Sequence, residues 1–317
     1  MTLKKPILLL APLILTPTGG AWNGKGHMTV AYVAFQKLDP AVKPKVHELL
    51  KKNPDYKTWV NSIPQDKQEE RLLVAFLRAS QWPDDIKGKP EFRSDGTSNG
   101  NVPPPDATAS RNIGYKDKLR HKYWHFHDKP FSSDGTPTRE PPTPSALTQI
   151  PILRDGLKNS TSDSVRSYDL VWLIHLVGDV HQPLHATARF TVNQKSGDDG
   201  GNGLKLTNRQ GAVVSSLHSF WDDLLGDNNV GDTITLGDAL MDEFGTPAGA
   251  EVTDAAAWID ESFQLAQKFV YVSPISSDGS PSRADMTYRR NARDLAEKQV
   301  VLGGHRLARV ISDALKP

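Results

Sequence analysis

The residues best suited to chemistry are concentrated in one stretch, His175-Leu-Val-Gly-Asp179-Val-His181-Gln-Pro-Leu-His185. It follows Tyr168-Asp-Leu-Val-Trp-Leu-Ile174, an apolar run that reads as a buried helix, so His175 and Asp179 stand one turn apart on one face. At that spacing an imidazole nitrogen and a carboxylate oxygen can grip one divalent ion, zinc first among them where no thiolate is near. His185 lies about 240° around an ideal helix from Asp179, and Pro183 bends or ends the helix before it. His185 is therefore expected to serve a different ion. The plain alternative is a core helix with three satisfied histidines, and the rest of the chain weighs against it.

Leu217-His218-Ser-Phe-Trp-Asp222 repeats the spacing of His175 and Asp179 and implies a second helical chelate. Trp22-Asn-Gly-Lys-Gly-His27 puts His27 at the start of a helix. Asp84, in Trp82-Pro83-Asp84-Asp85, follows a helix end, where a lone carboxylate is more often a solvated turn residue. In His121-Lys-Tyr-Trp-His125-Phe126-His127-Asp128, read as extended, His125 and His127 point to opposite sides, so one of the two meets a buried metal. Seven of the ten histidines fall between 121 and 218. Together these segments offer more ligands than one tetrahedral ion can use, which implies a multinuclear site.

The elements that must position these groups are mainly helices. Helical spacing predicts them over residues 28–38, 41–52, 66–78, 145–158, 162–182, 234–244, 252–272 and 283–315. His47 is placed on a solvated face and His305 at the surface, both structural. Residues 87–118 and 130–144, rich in Gly, Pro, Ser and Asn, read as irregular loops. Ala188–Val192 and Gly203–Thr207 read as an antiparallel hairpin around the glycine-rich 196–202. That tip lacks the helix and lysine of a phosphate-binding P-loop. The expected fold is one mainly α, multi-helix domain with a small antiparallel β-hairpin.

Lys4 and Lys5, then Pro6 to Leu15, then Gly19-Gly20-Ala21 have the basic, apolar and small-residue order of a secretory signal. Residues 1–21 are thus expected to be removed, leaving 22–317 as one domain of a secreted or periplasmic protein without a membrane span. Loss of Lys4 and Lys5 would leave 36 basic against 37 acidic residues, so no bulk basic footprint for duplex nucleic acid exists. Cysteine is absent, and an exported chain of this size must rely on its core and on bound metal. Asn159-Ser-Thr161 is a glycosylation sequon of no consequence in most bacteria.

Trp22 with His27 five residues on, the stretch from His175 to His185, Gly200-Gly201-Asn202 and Leu217-His218-Ser-Phe-Trp-Asp222, in this order, resemble the type I nuclease family. These are secreted trinuclear-zinc, single-strand-preferring nucleases, also called nuclease/3′-nucleotidases, of the zinc phospholipase C-like fold. The resemblance spans nearly all of the chain after residue 21. It implies three Zn2+ ions: one on Asp84, His125, His175 and Asp179; a second on His185, His218 and Asp222; a third on the backbone amine and carbonyl of Trp22 with His27 and Asp179, which bridges two ions. It also implies a nucleobase pocket with Phe126 stacking on the base and Asp128 hydrogen-bonding its edge, lined by the glycine-rich tip including Gly201 and Asn202. Asp84, Lys87 and Asp179 are expected to serve catalysis. The chain departs from the family pattern in having Pro83 before Asp84, where Ala is usual. It also has Lys87 where a phosphate-binding arginine is usual, which keeps the charge and loses the bidentate fork. His181 is expected to orient a ligand rather than to be one.

The implied activity is hydrolysis of single-stranded DNA and RNA to 5′-phosphorylated products, with 3′-nucleotides as further substrates, by a monomer. Two other readings stand beside it. A zinc phospholipase C shares the fold and the metal-binding Trp, but Phe126 with Asp128 suits a base better than a lipid headgroup. A non-catalytic zinc-binding protein would close every ion with protein ligands, whereas the second group offers only three side chains.

Overall fold

The computed structural model describes residues 22–226 and 229–316, so the expected leader, 1–21, lies outside the described residues. The fold is mainly helical, as expected. Its helices are α1 (Gly24–Lys37), α2 (Lys43–Leu50), α3 (Tyr56–Trp59), α4 (Gln68–Ala79), α5 (Trp82–Asp85), α6 (Ala146–Asn159), α7 (Asp163–Asp179), α8 (Leu217–Asp222), α9 (Val230–Phe244), α10 (Ala255–Leu265) and α11 (Met286–Leu315). None of the described helices is long and apolar enough to cross a membrane.

Helix α7 is buried on all sides from Ser167 to Asp179, because its sequence is apolar all round rather than striped. It starts where Ser162 accepts the backbone N–H of Val165. Helices α1, α2, α4, α6 and α11 pack against it. Asn23 caps α1 by accepting from the N–H groups of Lys25 and Gly26. The long α11 lies close along α1 because position 304 is glycine: a Cβ there would come within 2.5 Å of Val33 Cβ. A smaller apolar cluster, including Leu184, Leu206, Leu217 and Trp221, packs α8 and a hairpin onto the start of α11.

The antiparallel hairpin is present, but its strands are not the expected pair. Strand β1 (Lys129–Ser132) lies parallel to β2 (Thr187–Phe190), while β3 (Lys205–Thr207) pairs antiparallel with β4 (Val213–Ser216). Residues 187–190 are buried throughout and so found a partner inside the fold, in a segment that its prolines had marked as loop. The helix expected over 162–182 ends at Asp179, where Gln182 begins a 3₁₀ turn at Pro183–His185. His47 is buried rather than solvated, with Nε2 at 2.8 Å from the Tyr56 hydroxyl, and His305 is half-buried.

Candidate metal centre

The C-terminal end of α7 is the middle of the site. Asp179 is fully buried, and three imidazoles from three other positions converge on it. His125 Nδ1 lies 3.0 Å and His175 Nε2 3.2 Å from Oδ2, and His27 Nε2 lies 3.3 Å from Oδ1. His27 reaches this place because residue 178 is glycine: a Cβ there would sit 2.9 Å from His27 Nδ1. The rings of His27 and His175 stack at 3.9 Å. Asp84 Oδ1 approaches both His125 Nδ1 and His175 Nε2 to 3.8 Å. Pro83 does not disturb Asp84, since it occupies the first turn of α5, where the missing N–H has no role.

A second group lies beside the first. The one-turn pair on α8 places His218 Nε2 3.5 Å from Asp222 Oδ2, and His185 joins it with ring centroids 4.9 Å from His218. His27, Asp84 and His175 form one potential metal-holding set, His125, His175 and Asp179 a second, and His185, His218 and Asp222 a third. The sharing of His175 links the first two sets. Trp22 is buried against this seam: its indole N–H donates to the Gly178 carbonyl at 3.0 Å, and the next residue, Asn23, donates its N–H to the Asp222 carbonyl.

The donor set fits cations. His27 Nε2, Asp179 Oδ1 and His185 Nε2 are buried with no hydrogen-bond partner, a costly state for polar atoms unless an ion takes their lone pairs. The ring hydrogens are committed elsewhere: His175 Nδ1 donates to the Ser80 carbonyl, His185 Nδ1 to the His125 carbonyl and His218 Nδ1 to the Gly200 carbonyl. Each of these three rings thereby turns a bare Nε2 toward the site. Burial holds His125 near pKa 4 and His185 near 3, so both are neutral, the state that binds metal. Burial pushes Asp179 up, but His175, His125 and His27 outweigh it and hold the carboxylate well below its ordinary range. At Asp84 burial is likewise overcome, by Lys87 and the same histidines. Burial raises Asp222 well above the carboxylate range, because Gln182, its hydrogen-bond partner, brings no charge; a cation there would supply it.

The S1/P1 nuclease family profile matches residues 22–316. The chain belongs to the S1/P1 nuclease family. Among curated proteins none matches the sequence. As a member of a metal-dependent nuclease family, the chain is a phosphodiesterase whose substrates are nucleic acids, and its buried His/Asp sets can hold metal ions. Of the two enzymatic readings, the family match supports the nuclease.

The remaining expected residues divide. Phe126 and Asp128 line one cavity of about 320 Å³, with Phe190, Arg139 and Asp199 among its other walls. Burial, then Asp199 and Asp198, raise Asp128 well above the carboxylate range. Gly201 and Asn202 stand outside that lining: the glycine-rich segment meets the cavity through Ser196 and Asp199, while Gly201 packs on Leu184 beside His218. Lys87 Nζ lies 2.6 Å from Asp84 Oδ1, at the edge of the metal sets. His127 turns away from the site, as expected, to Ser145 Oγ at 2.9 Å.

His181 does not orient a ligand. Its Nδ1 donates to the Val177 carbonyl, its Nε2 faces Arg306 at 3.1 Å, and its ring packs against Trp258. Helix α7 ends before it, so its side chain leaves along a different direction from that of His175. The side chain that does hold a candidate ligand is Gln182, whose Nε2 donates to Asp222 Oδ1 at 2.9 Å. Sequence reasoning missed Gln182. The available signal was a neutral amide standing between ligands in a segment too apolar to be exposed.

Proposed function

We propose that this chain is an exported zinc-dependent endonuclease that prefers single strands, yields 5′-phosphate and 3′-hydroxyl ends, and also acts as a 3′-nucleotidase. In this reading residues 1–21 are removed, 22–317 form the catalytic domain, and the protein works as a monomer with three zinc ions. Nitrogen and carboxylate donors without thiolate favour zinc. The observation that carries the reading is the join of the two parts of the site: His125 belongs to a metal-holding set, and Phe126 and Asp128, one and three residues on, line the cavity. A base held there lies next to the phosphodiester that the metal sets would receive. A base inside a duplex stack could enter only by flipping out, at a cost of a few kcal/mol, whereas a base in a single strand is already free.

When bound, the ions would supply an activated water and the positive charge that a phosphoryl group and its departing oxygen require. The chain's own residues do the positioning. Asp179 holds His27, His125 and His175 around it and would bridge two ions, Gln182 aims Asp222, and the carbonyls of Ser80, His125 and Gly200 fix three rings. Lys87 offers an ammonium at the edge of the site for a phosphate oxygen. Phe126 would stack on the base while Asp128 reads its edge. The third ion would take the α-amine and carbonyl of Trp22 once that residue is the terminus.

The test is a digest of one labelled oligonucleotide, alone and annealed to its complement, by zinc-loaded enzyme with metal analysis of the same sample. Faster cleavage of the single strand to 5′-phosphorylated products, with three zinc ions per chain, is the expected result. Recovery of 3′-phosphates, or equal rates on both forms, would overturn it.

A further inference from the structure

His121 lies outside the metal sets, yet both of its ring nitrogens are tied beside the cavity. It is fully buried, and both ring nitrogens meet carboxylates: Nδ1 lies 2.9 Å from Asp95 Oδ2 and Nε2 lies 3.2 Å from Asp117 Oδ2. Its ring stacks on Trp124 at 3.8 Å with an interplanar angle of 2° and meets Trp172 of α7 edge-on. Its backbone sits in the left-handed region, at φ 42°, which a residue with a Cβ rarely adopts without support. The support is visible: His121 N–H donates to Asp95 Oδ1, and the Tyr123 hydroxyl donates to Asp95 Oδ2.

The two segments joined in this way are two walls of one cavity. Beyond Asp95 the chain turns through Ser98, Asn99, Asn101 and Val102, which line the cavity; beyond His121 it supplies Phe126 and Asp128 to the same lining. The first wall belongs to a stretch, 87–118, that has no regular strand or long helix to hold it. Near the clamp it is tied by short backbone contacts, from Arg93 N–H to Lys118 O and Arg120 N–H to Arg93 O, and by side-chain bonds to its carbonyls, from Arg120 to Phe92, Lys122 to Asn99 and Trp124 to Ala109; the clamp adds the charged groups. We propose that His121 is a positioning residue: by binding Asp95 and Asp117 to one ring it sets the separation of the two cavity walls, and so the grip on a nucleobase. An imidazolium does this better than a neutral ring, since it donates to both carboxylates, whereas the neutral ring has one hydrogen to give. Burial alone would lower its pKa, but Asp117 and Asp95, the charged groups that face the ring, raise it above the ordinary value.

The proposal rests on the reading of this cavity as a base site, and the experiment separates the two. Zinc-loaded enzyme is assayed on a single-stranded oligonucleotide and on the same strand with a tetrahydrofuran abasic unit at the cleaved nucleotide. The wild type should show the lower KM on the base-bearing strand. His121→Gln should raise that KM about tenfold, in the range of one lost base–aromatic stack, with kcat, zinc content and abasic KM unchanged. Asp95→Asn, which keeps the side-chain shape, should give the same split and carries the test if His121→Gln does not fold. In the wild type the discrimination should also fall as pH rises beyond the ordinary histidine range, while His121→Gln keeps only the part due to Asp128. A wild type blind to the missing base overturns the base-site reading and the clamp with it. A wild type that discriminates, beside variants that discriminate equally well or lose both substrates alike, overturns the clamp alone.

Discussion

Asp169 and Asp179 stand on the same helix, ten residues apart, and neither side chain is exposed. Around Asp179 the fold has gathered His27, His125 and His175, and the carboxylate is held ionised against the pull of burial. Around Asp169 it has placed one neutral amide, the Asn112 side chain at 2.6 Å, and left Oδ2 without a partner. Burial there raises the pKa to about 8. The same residue on the same buried helix is thus an anion at one end and an acid at the other. What separates a ligand from a structural carboxyl is the company of nitrogen donors, which only the folded chain supplies.

The largest effect should come from Asp179→Asn, which takes the shared carboxylate away from three imidazoles. Two zinc ions should loosen together, and activity should fall more than about a hundredfold, beyond the usual cost of losing a residue that only supports a ligand. His181→Ala, on the same stretch but turned to Arg306 and Val177, should keep full metal content and lose stability instead. Metal analysis and kcat on both variants check this; equal loss of zinc from the two would break the contrast.

Adding mass at the amine of Trp22 should act next. A free α-amine, with pKa about 7.7–8.0, yields its proton to a metal, whereas an amide nitrogen does not. A version with a tag fused directly before Trp22 should therefore fold, bind two zinc ions rather than three, and lose most phosphodiesterase activity. Three ions and an unchanged rate would remove the terminal amine from the ligand set. A smaller effect is expected from Gln182→Ala, which leaves all ligands in place but frees Asp222. Zinc affinity of that set should drop about 10- to 100-fold, read by titration with a chelator, while the sets around Asp179 keep theirs.

The helices that carry the candidate ligands were legible in the sequence because a chelate on a helix has a fixed spacing: His175 with Asp179, and His218 with Asp222, could be paired before any fold was known. Asp84 and His27 were legible through a resemblance, since nothing local distinguishes Asp84 from a turn carboxylate. The strands illustrate what was hidden. Residues 187–190 and 205–207 were recognisable as strands, but strand partners are chosen by tertiary packing, and β2 paired with residues 129–132 across more than fifty residues of chain. The clamp at His121 was equally hidden, because its two carboxylates sit in a loop whose composition reveals only that it is irregular.

Asp169 gives the smallest and most specific effect, and it tests the comparison from the other side. A carboxyl whose pKa is raised by folding binds its proton more tightly in the folded state than in the unfolded one. Folding stability is then unaffected below the ordinary pKa, declines as pH rises above about 4, and levels off once the folded pKa near 8 is passed. Asp169→Asn keeps the size and the oxygen that accepts from Asn112 but has no proton to lose. The variant should match the wild type near pH 4.5 and exceed it increasingly toward pH 8, by at least about 1 kcal/mol, or about 2 °C in Tm. Acid loss of zinc lowers both proteins alike, so the difference between the two thermal curves isolates residue 169. Parallel curves across that range would mean that Asp169 is ionised in the fold and has a counter-charge, and the contrast with Asp179 would fail. Divergence with rising pH, with zinc content and activity unaltered, would establish that burial alone makes an acid on this helix and that the histidines make the ligand.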